Sequence, residues 1–532
     1  LSPAAPSTYP AARACLVLAL ILPVFAIAPL FYPGYIQTHS GFVPIWNVVD
    51  LRANGPWNWT PQIAVNFDPL RSDGLLPYYL VNLLPLEPVT AIKVVLGLGW
   101  LLGSAGMFFW LRHWLSHPGA LVAALAYTYL PYHIATVYVR GAWGEALFWG
   151  LLPWAIFFSQ QYHEVNNSSS NTEHAAEGTP PGVRKRATPS TSYLLRIALI
   201  LFIWLLLGLS QLGLTIWALV FVTLLLLILN TRQSLWPIIA SILGTFLAAV
   251  VSFLLSARFS SPLAPSSPHF SDHFLYPFQL LSAFWGFGPS RAGWDDGLSL
   301  QLGLAAIGLT ILSMTLWQRN GSGELSISRT DRRLVFFITA ALVCVLLQFG
   351  FSHLLWRVPL LPSFTLADTL TYPWQLSGLA GLCLAVLAGC ALWLDDQLTR
   401  LPLFGAIIIL VILSSYSYLE PQFIQMDLDV MDGPEAQLGS TQLALLAHSF
   451  STITNGNTAG VESGPTRISL AAHGPLHANE MLEVNVTWQL LQPFAEDWKV
   501  FVHLVDADGK ILAQFDGQPL AGDYPTSHWI PG

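Results

Sequence analysis

The sequence predicts an α-helical polytopic membrane protein of roughly eleven transmembrane helices with a C-terminal extracytoplasmic β-sandwich-like domain. Three observations lead there. Of 532 residues, 54% are apolar and only 10% charged, against roughly 25% charged in a soluble globular protein. Apolar runs of about the 20 residues needed to cross a hydrocarbon layer recur along most of the chain. From Arg467 onward the pattern changes to strict alternation, the mark of half-buried strands. An ordinary cytosolic enzyme is thereby excluded. The net charge of -8 excludes nucleic acid as well, whose partners present a basic face. Membrane lipid is the surrounding that the composition implies.

The spans are expected near residues 12–33, 90–112, 118–137, 143–160, 193–211, 213–230, 234–256, 299–318, 334–351, 376–394 and 402–419. Pro131 interrupts the third, because proline removes a helical donor and clashes with the preceding turn. The first is followed by a polar, Trp-rich stretch with no small-residue cleavage site, so it reads as a retained anchor. Cys15, Cys344, Cys383 and Cys390 all fall in apolar runs. They read as small buried hydrophobes, neither disulfide partners nor ligands of a metal, and no metal set is expected. The chain opens on Leu1 and stops at Pro531-Gly532, which reads as a portion of a longer protein.

Orientation follows the basic residues. With the N-terminus inside, about twelve Lys and Arg face the cytoplasm, Arg184-Lys185-Arg186, Arg332 and Arg333 among them, and about seven lie in outer loops of greater total length. The polar segment 162–192 is then a flexible cytoplasmic loop. Residues 1–425 form the membrane domain, 426–466 a linker, and 467–532 a β domain that ends before it closes. Asp506-Ala-Asp-Gly509 sits between alternating runs as a hairpin turn, a role that explains these residues without a metal or a catalytic task for the β domain.

Three long outer loops, 34–89, 257–298 and 352–375, carry the aromatic and ionisable residues. Unstructured loops of this length are usually functional or disordered, and Trp46, Trp57, Trp59, Trp285, Trp294, Trp356, Tyr372 and Trp374 argue against disorder. The aromatics suit either an interfacial belt or an outward cavity for a sugar or lipid head group. Between the third and fourth spans, Arg140 and Glu145 stand five residues apart across a Gly-containing turn. That spacing suits an ion pair closing a helical hairpin, or an arginine held to grip a phosphate. Other candidate binding residues are His39, Ser40, His133, Asp295, Asp296, Trp374 and Gln375.

Tyr132-His133 with Tyr138-Val-Arg-Gly-Ala-Trp-Gly-Glu145, Gly286-Phe-Gly-Pro-Ser290 with Trp294-Asp-Asp-Gly297 and Leu300-Gln-Leu-Gly303, and Leu361-Pro with Tyr372-Pro-Trp-Gln375 resemble a bacterial multispanning family labelled "6-pyruvoyl-tetrahydropterin synthase-related". That family is similar to the GT-C glycosyltransferases, which include protein mannosyltransferases and aminoarabinose transferases; no pterin chemistry follows from its label. The tail phrases Trp498-Lys-Val-Phe-Val-His503 and Pro525-Thr-Ser-His-Trp-Ile-Pro-Gly532 resemble the extracytoplasmic β domain of such proteins.

The resemblance implies a GT-C-like fold in a bacterial inner membrane. It implies a polyprenyl-phosphate sugar as donor substrate, no other cofactor, and transfer at the outer face. It also implies an acidic base in the first outer loop and cations on the leaving phosphate. Two positions depart from that pattern. Ser40 stands where relatives carry the acid, and Gln375 where they carry an arginine. Asp68, Asp50 and Asp73 are the carboxylates of that loop able to replace the base, with Asp68 preferred because Asp50 suits a surface helix and Asp73-Gly74 a turn. The expectation is a GT-C-like glycosyltransferase. The alternatives are a non-catalytic structural or assembly subunit working with other membrane proteins, and a lipid-linked sugar transporter, which would favour broken helices and internal repeats.

Overall fold

The computed structural model describes residues 9–41, 43–55, 70–71, 74–175, 191–229, 235–259, 270–320, 329–362 and 364–424, with strand segments between 452 and 517. The chain divides into two units, Leu1–Met426 and Asp427–Gly532. The first is helical, with a helix in every interval where a span is expected. These are α1 (Tyr9–Ile21), α2 (Pro88–Leu111), α3 (His117–Thr128), α4 (Trp143–Ala175), α5 (Thr191–Ser210), α6 (Leu212–Leu229), α7 (Leu235–Phe259), α8 (Leu304–Asn320), α9 (Arg329–Leu346), α10 (Ser377–Leu394) and α11 (Leu401–Tyr416). Among the described residues, six stretches are long and apolar enough to cross a membrane: Ala12–Phe31, Pro88–Leu111, His117–Arg140, Leu212–Leu229, Leu235–Leu255 and Pro373–Leu394.

Prolines act on these helices as their chemistry dictates. α3 stops at Thr128, and Pro131 becomes the first residue of a short second piece, Pro131–Ala135, where its missing N–H costs nothing. Pro153 sits inside α4 without ending it. The carbonyl of Trp149, which the absent Pro153 N–H would have served, accepts the Tyr127 hydroxyl at 2.7 Å instead. A buried carbonyl is thus satisfied by a neighbouring helix, as a dry environment requires. α4 runs on to Ala175, so 162–175, expected as loop, is helical. Extending an existing helix is far cheaper than nucleating one, and the weak helix formers of this stretch inherit that advantage. Residues 176–190 of the expected loop lie outside the described residues.

The core is organised on α10, nearly all of whose residues are buried and which packs on α3, α8 and α9. Small residues permit the close approach. A Cβ on Gly389 would lie 2.4 Å from the Gly119 carbonyl oxygen of α3. The four cysteines are buried and unpaired, as expected. The first of the three long loops starts with a two-residue strand, Tyr35–Ile36, paired antiparallel with Phe423–Ile424, and continues into a helix over Val43–Asn54. In the second, Phe287 bridges Leu298. The third forms a small hairpin of Pro359–Leu361 with Phe364–Thr365.

In the second unit, Val461–Ser463, Thr466–Ala471 and Asn485–Leu490 form an antiparallel sheet. Val500–Val505 pairs antiparallel with Ile511–Gly517, flanking the expected turn, whose Asp506, Asp508 and Gly509 lie outside the described residues. Strand pairing starts at Thr452, within the interval 426–466 read as linker.

Candidate functional site

The broken third span creates the site. After Ala135 the backbone widens into a single π turn, Thr136–Arg140, and leaves it through Gly141 at φ +67, a left-handed conformation that a side chain strains. A Cβ at Gly141 would also meet Thr38 Oγ1 at 2.2 Å. The reversal sets Arg140 against Glu145 in the first turn of α4, with Nη2 to Oε2 at 2.8 Å. The expected ion pair is therefore present, with the carboxylate side chain wholly buried and the arginine side chain 12% exposed.

Glu145 has both oxygens fully occupied. Oε2 accepts Arg140 and, at 3.2 Å, Gln375 Nε2. Oε1 accepts the Tyr132 hydroxyl and, at 3.3 Å, Trp149 Nε1. Trp149 reaches this position across Gly378, where a Cβ would stand 2.0 Å from its ring. A carboxylate so saturated is a holder of other groups, with no lone pair left to take a proton from a substrate. Its main charge is Arg140, whose guanidinium lies 4.7 Å over the Trp374 ring. Trp374 in turn stacks on Tyr372 at 4.6 Å.

Gln375 explains its own departure from the resemblance. Its Oε1 accepts the backbone N–H groups of Thr371 and Tyr372 at 3.0 and 3.1 Å, while its Nε2 serves Glu145. A guanidinium accepts nothing, so arginine could not do both. Ser40 is likewise committed. Its hydroxyl lies 3.2 and 3.0 Å from the carbonyls of Arg140 and Gly141, and the His39 N–H donates to Val139 O at 2.9 Å. The first long loop is thus clasped to the Arg140 turn at the position where the resemblance expects an acid.

The loop between α7 and α8 completes the surroundings. His39 Nε2 donates to Phe287 O at 2.9 Å, since a carbonyl only accepts, which leaves Nδ1 as the acceptor of the neutral ring. His39 is exposed, yet partial enclosure, and to a lesser extent the Arg140 charge, lower its pKa against the opposing hydrogen bond to Phe287. Ser290 Oγ accepts Trp374 Nε1 at 3.2 Å and lies 3.0 Å from His273 Nδ1. Asp296 accepts Arg291 N–H at 2.6 Å and Gln279 Nε2 at 3.1 Å. Burial raises its pKa despite these donors, and burial lowers that of His273 despite Asp296 and Asp272 nearby. Tyr372 feels Arg140 and Asp296 together, which links the two halves of the cluster.

Of the sequence-predicted residues, His39, Ser40, Arg140, Glu145, Asp296, Trp374 and Gln375 therefore meet in one place. Asp295 is exposed beside it. His133 packs instead between the Tyr127 and Trp149 rings, at centroid distances of 4.4 and 5.6 Å. Asp50 lies on the Val43–Asn54 helix and accepts Asn54 Nδ2 at 2.7 Å. Asp68 and Asp73 lie outside the described residues. His273, Ser290, Trp149 and Gly378 were not anticipated as site residues. Ser290 lies in a phrase quoted for the resemblance, but the other three carry no local signal, since their partners are distant in sequence. No family model matches the chain, and no curated protein matches it.

Proposed function

We propose that the protein is a GT-C-like membrane glycosyltransferase that takes a polyprenyl-phosphate sugar at the outer end of α3 and α4. The observation that carries this reading is the clamped Arg140, held by Glu145 and set over Trp374, beside the half-buried Asp296. Guanidinium suits phosphate geometrically, and a fixed cation stabilises the charge that develops on a departing phosphate without reorganising. Half-buried Tyr372, backed by the buried Trp374 ring, provides an aromatic contact for a sugar ring. A carboxylate of raised pKa is suited to accept the proton of an acceptor hydroxyl near neutral pH, which makes Asp296 the base among the described residues, with Asp68 the alternative from the first loop. In this reading eleven helices span a bacterial inner membrane, the N-terminus is cytoplasmic and the C-terminal strands form an extracytoplasmic β domain.

One observation favours a second reading, a non-catalytic scaffold that serves other membrane subunits. Ser40, at the expected acidic position, donates its hydroxyl to the Arg140 turn and has no base chemistry. The deciding experiment measures sugar transfer from a polyprenyl-phosphate donor by the purified full chain, by Asp296→Asn and Asp68→Asn, and by Arg140→Gln. Transfer lost in Arg140→Gln and in one aspartate variant, each still folded, is the expected result. A wild-type chain that neither binds nor turns over donor overturns the transferase reading and favours the scaffold.

A further inference from the structure

A second site lies away from this cluster, between α6 and α9. The two helices diverge around a cavity of about 440 Å³, within the ~300–1,000 Å³ range of ligand pockets. Val220, Leu224, Val335 and Val343 form its open sides, each about half exposed. Buried Cys344 and Leu379 are among its lining residues. One end is closed by Trp217, fixed by donation from Nε1 to Thr369 Oγ1 at 3.0 Å and by ring contact with Trp356 at 5.3 Å. The other end is bordered by Ile228 and Arg332.

We propose that this groove holds one acyl chain of a diacyl anionic phospholipid, whose phosphate meets Arg332. Three features fix the occupant. From Trp217 to Ile228 the groove runs roughly 16 Å at 1.5 Å per residue, close to half of the ~30 Å hydrocarbon core, the depth of one leaflet. Its lining is apolar save for Thr339 and Arg332, so a hydrocarbon chain fits along its length and a polar ligand does not. The charge stands at one end only. The neighbouring Asp331 accepts Trp317 Nε1 at 2.8 Å and Arg333 lies 4.8 Å over Trp114, whereas Arg332 has no carboxylate partner among the described residues. A cation in that place complements a phosphate, which guanidinium binds in forked geometry. The inference uses the membrane setting of the helices and nothing from the Arg140 cluster, so it stands or falls separately from the transferase reading.

The test is native mass spectrometry of the purified full chain after exchange into phosphatidylglycerol or phosphatidylcholine of matched acyl chains. Wild type should retain phosphatidylglycerol at least tenfold over phosphatidylcholine. Arg332→Ala should lose that preference, and Ala340→Trp, which fills the groove, should lose retention of both lipids. Equal retention of the two lipids by wild type overturns the proposal, as does an unchanged preference in Arg332→Ala. The Arg332 variant changes an exposed side chain, so its result decides the matter even where the groove-filling variant does not fold.

Discussion

Replacing Glu145 by glutamine tests whether one buried carboxylate holds the site together. Four donors converge on its two oxygens: Arg140 and Gln375 on one, Tyr132 and Trp149 on the other. An amide keeps one acceptor oxygen and turns the other position into an NH₂, which then faces two donors whichever way it is flipped. Arg140, mostly buried, loses its counter-charge at the same time. Breaking a buried pair on one side costs about 3 to 5 kcal/mol. Arg140→Gln costs less, because the surviving carboxylate keeps three donors. The double variant Arg140→Gln/Glu145→Gln should recover part of the loss, with a coupling of about 1 to 3 kcal/mol between the positions. The assay is reversible unfolding of the purified chain in mixed micelles, measured for the four members of the cycle. Single losses that simply add would refute direct coupling and with it the view of Glu145 as the hub.

Further outcomes follow from the same geometry. Gly378→Ala should displace the Trp149 ring, whose carbon would otherwise lie 2.0 Å from the new Cβ, and lower folded yield; a normal yield would refute the placement. Tyr127→Phe should destabilise by about 1 to 3 kcal/mol, because the Trp149 carbonyl above Pro153 is left unserved, and an unfolding midpoint equal to wild type would show that something else satisfies it. His39 and His273 have pKa values lowered on folding, so their contribution is complete above the ordinary 6.5 and is lost as pH falls through the lower folded values. Asp296 is raised and works in the opposite sense, gaining as pH falls. Stability scanned from pH 7.5 to 5 should drop in wild type and drop less steeply in His39→Gln/His273→Gln; an identical slope in both would refute the assignment. Single cysteines at Ser290 and Gly509 should react with a membrane-impermeant thiol reagent in intact cells while one at Ser168 should not, and the reverse pattern would invert the topology.

The helices were legible because apolar run length is a local property: each of eleven runs carries its own signal, and Pro131 announces the break in α3. The Arg140–Glu145 pair was legible for the same reason, since both partners lie within one turn. What surrounds the pair was not. Tyr127 serves a carbonyl on another helix, Trp149 depends on Gly378 of α10, and Ser290 gathers His273 and Trp374 from separate loops. These depend on tertiary packing, where no spacing rule operates. The end of α4 was missed by the opposite route, because local composition suggested loop where helix propagation continued.

The two departures at Ser40 and Gln375 look in the sequence like independent losses of charge, but in the fold both bear on the same turn. Ser40 offers a donor to the carbonyls of Arg140 and Gly141; an aspartate there would have no proton to give and would set its charge against two carbonyl oxygens. Gln375 accepts two backbone N–H groups and donates to Glu145, a combination closed to arginine. Each is a neutral group that helps to fix Arg140 in place. Ser40→Asp should therefore destabilise by about 1 to 3 kcal/mol and loosen the clasp between the first long loop and the Arg140 turn. If this variant instead gains sugar transfer at unchanged stability, the clasp is dispensable and Ser40 marks a lost base. If it loses both stability and donor binding, Ser40 serves to hold Arg140 rigid, and under the proposed transferase reading the proton is taken by a carboxylate elsewhere in the long loops.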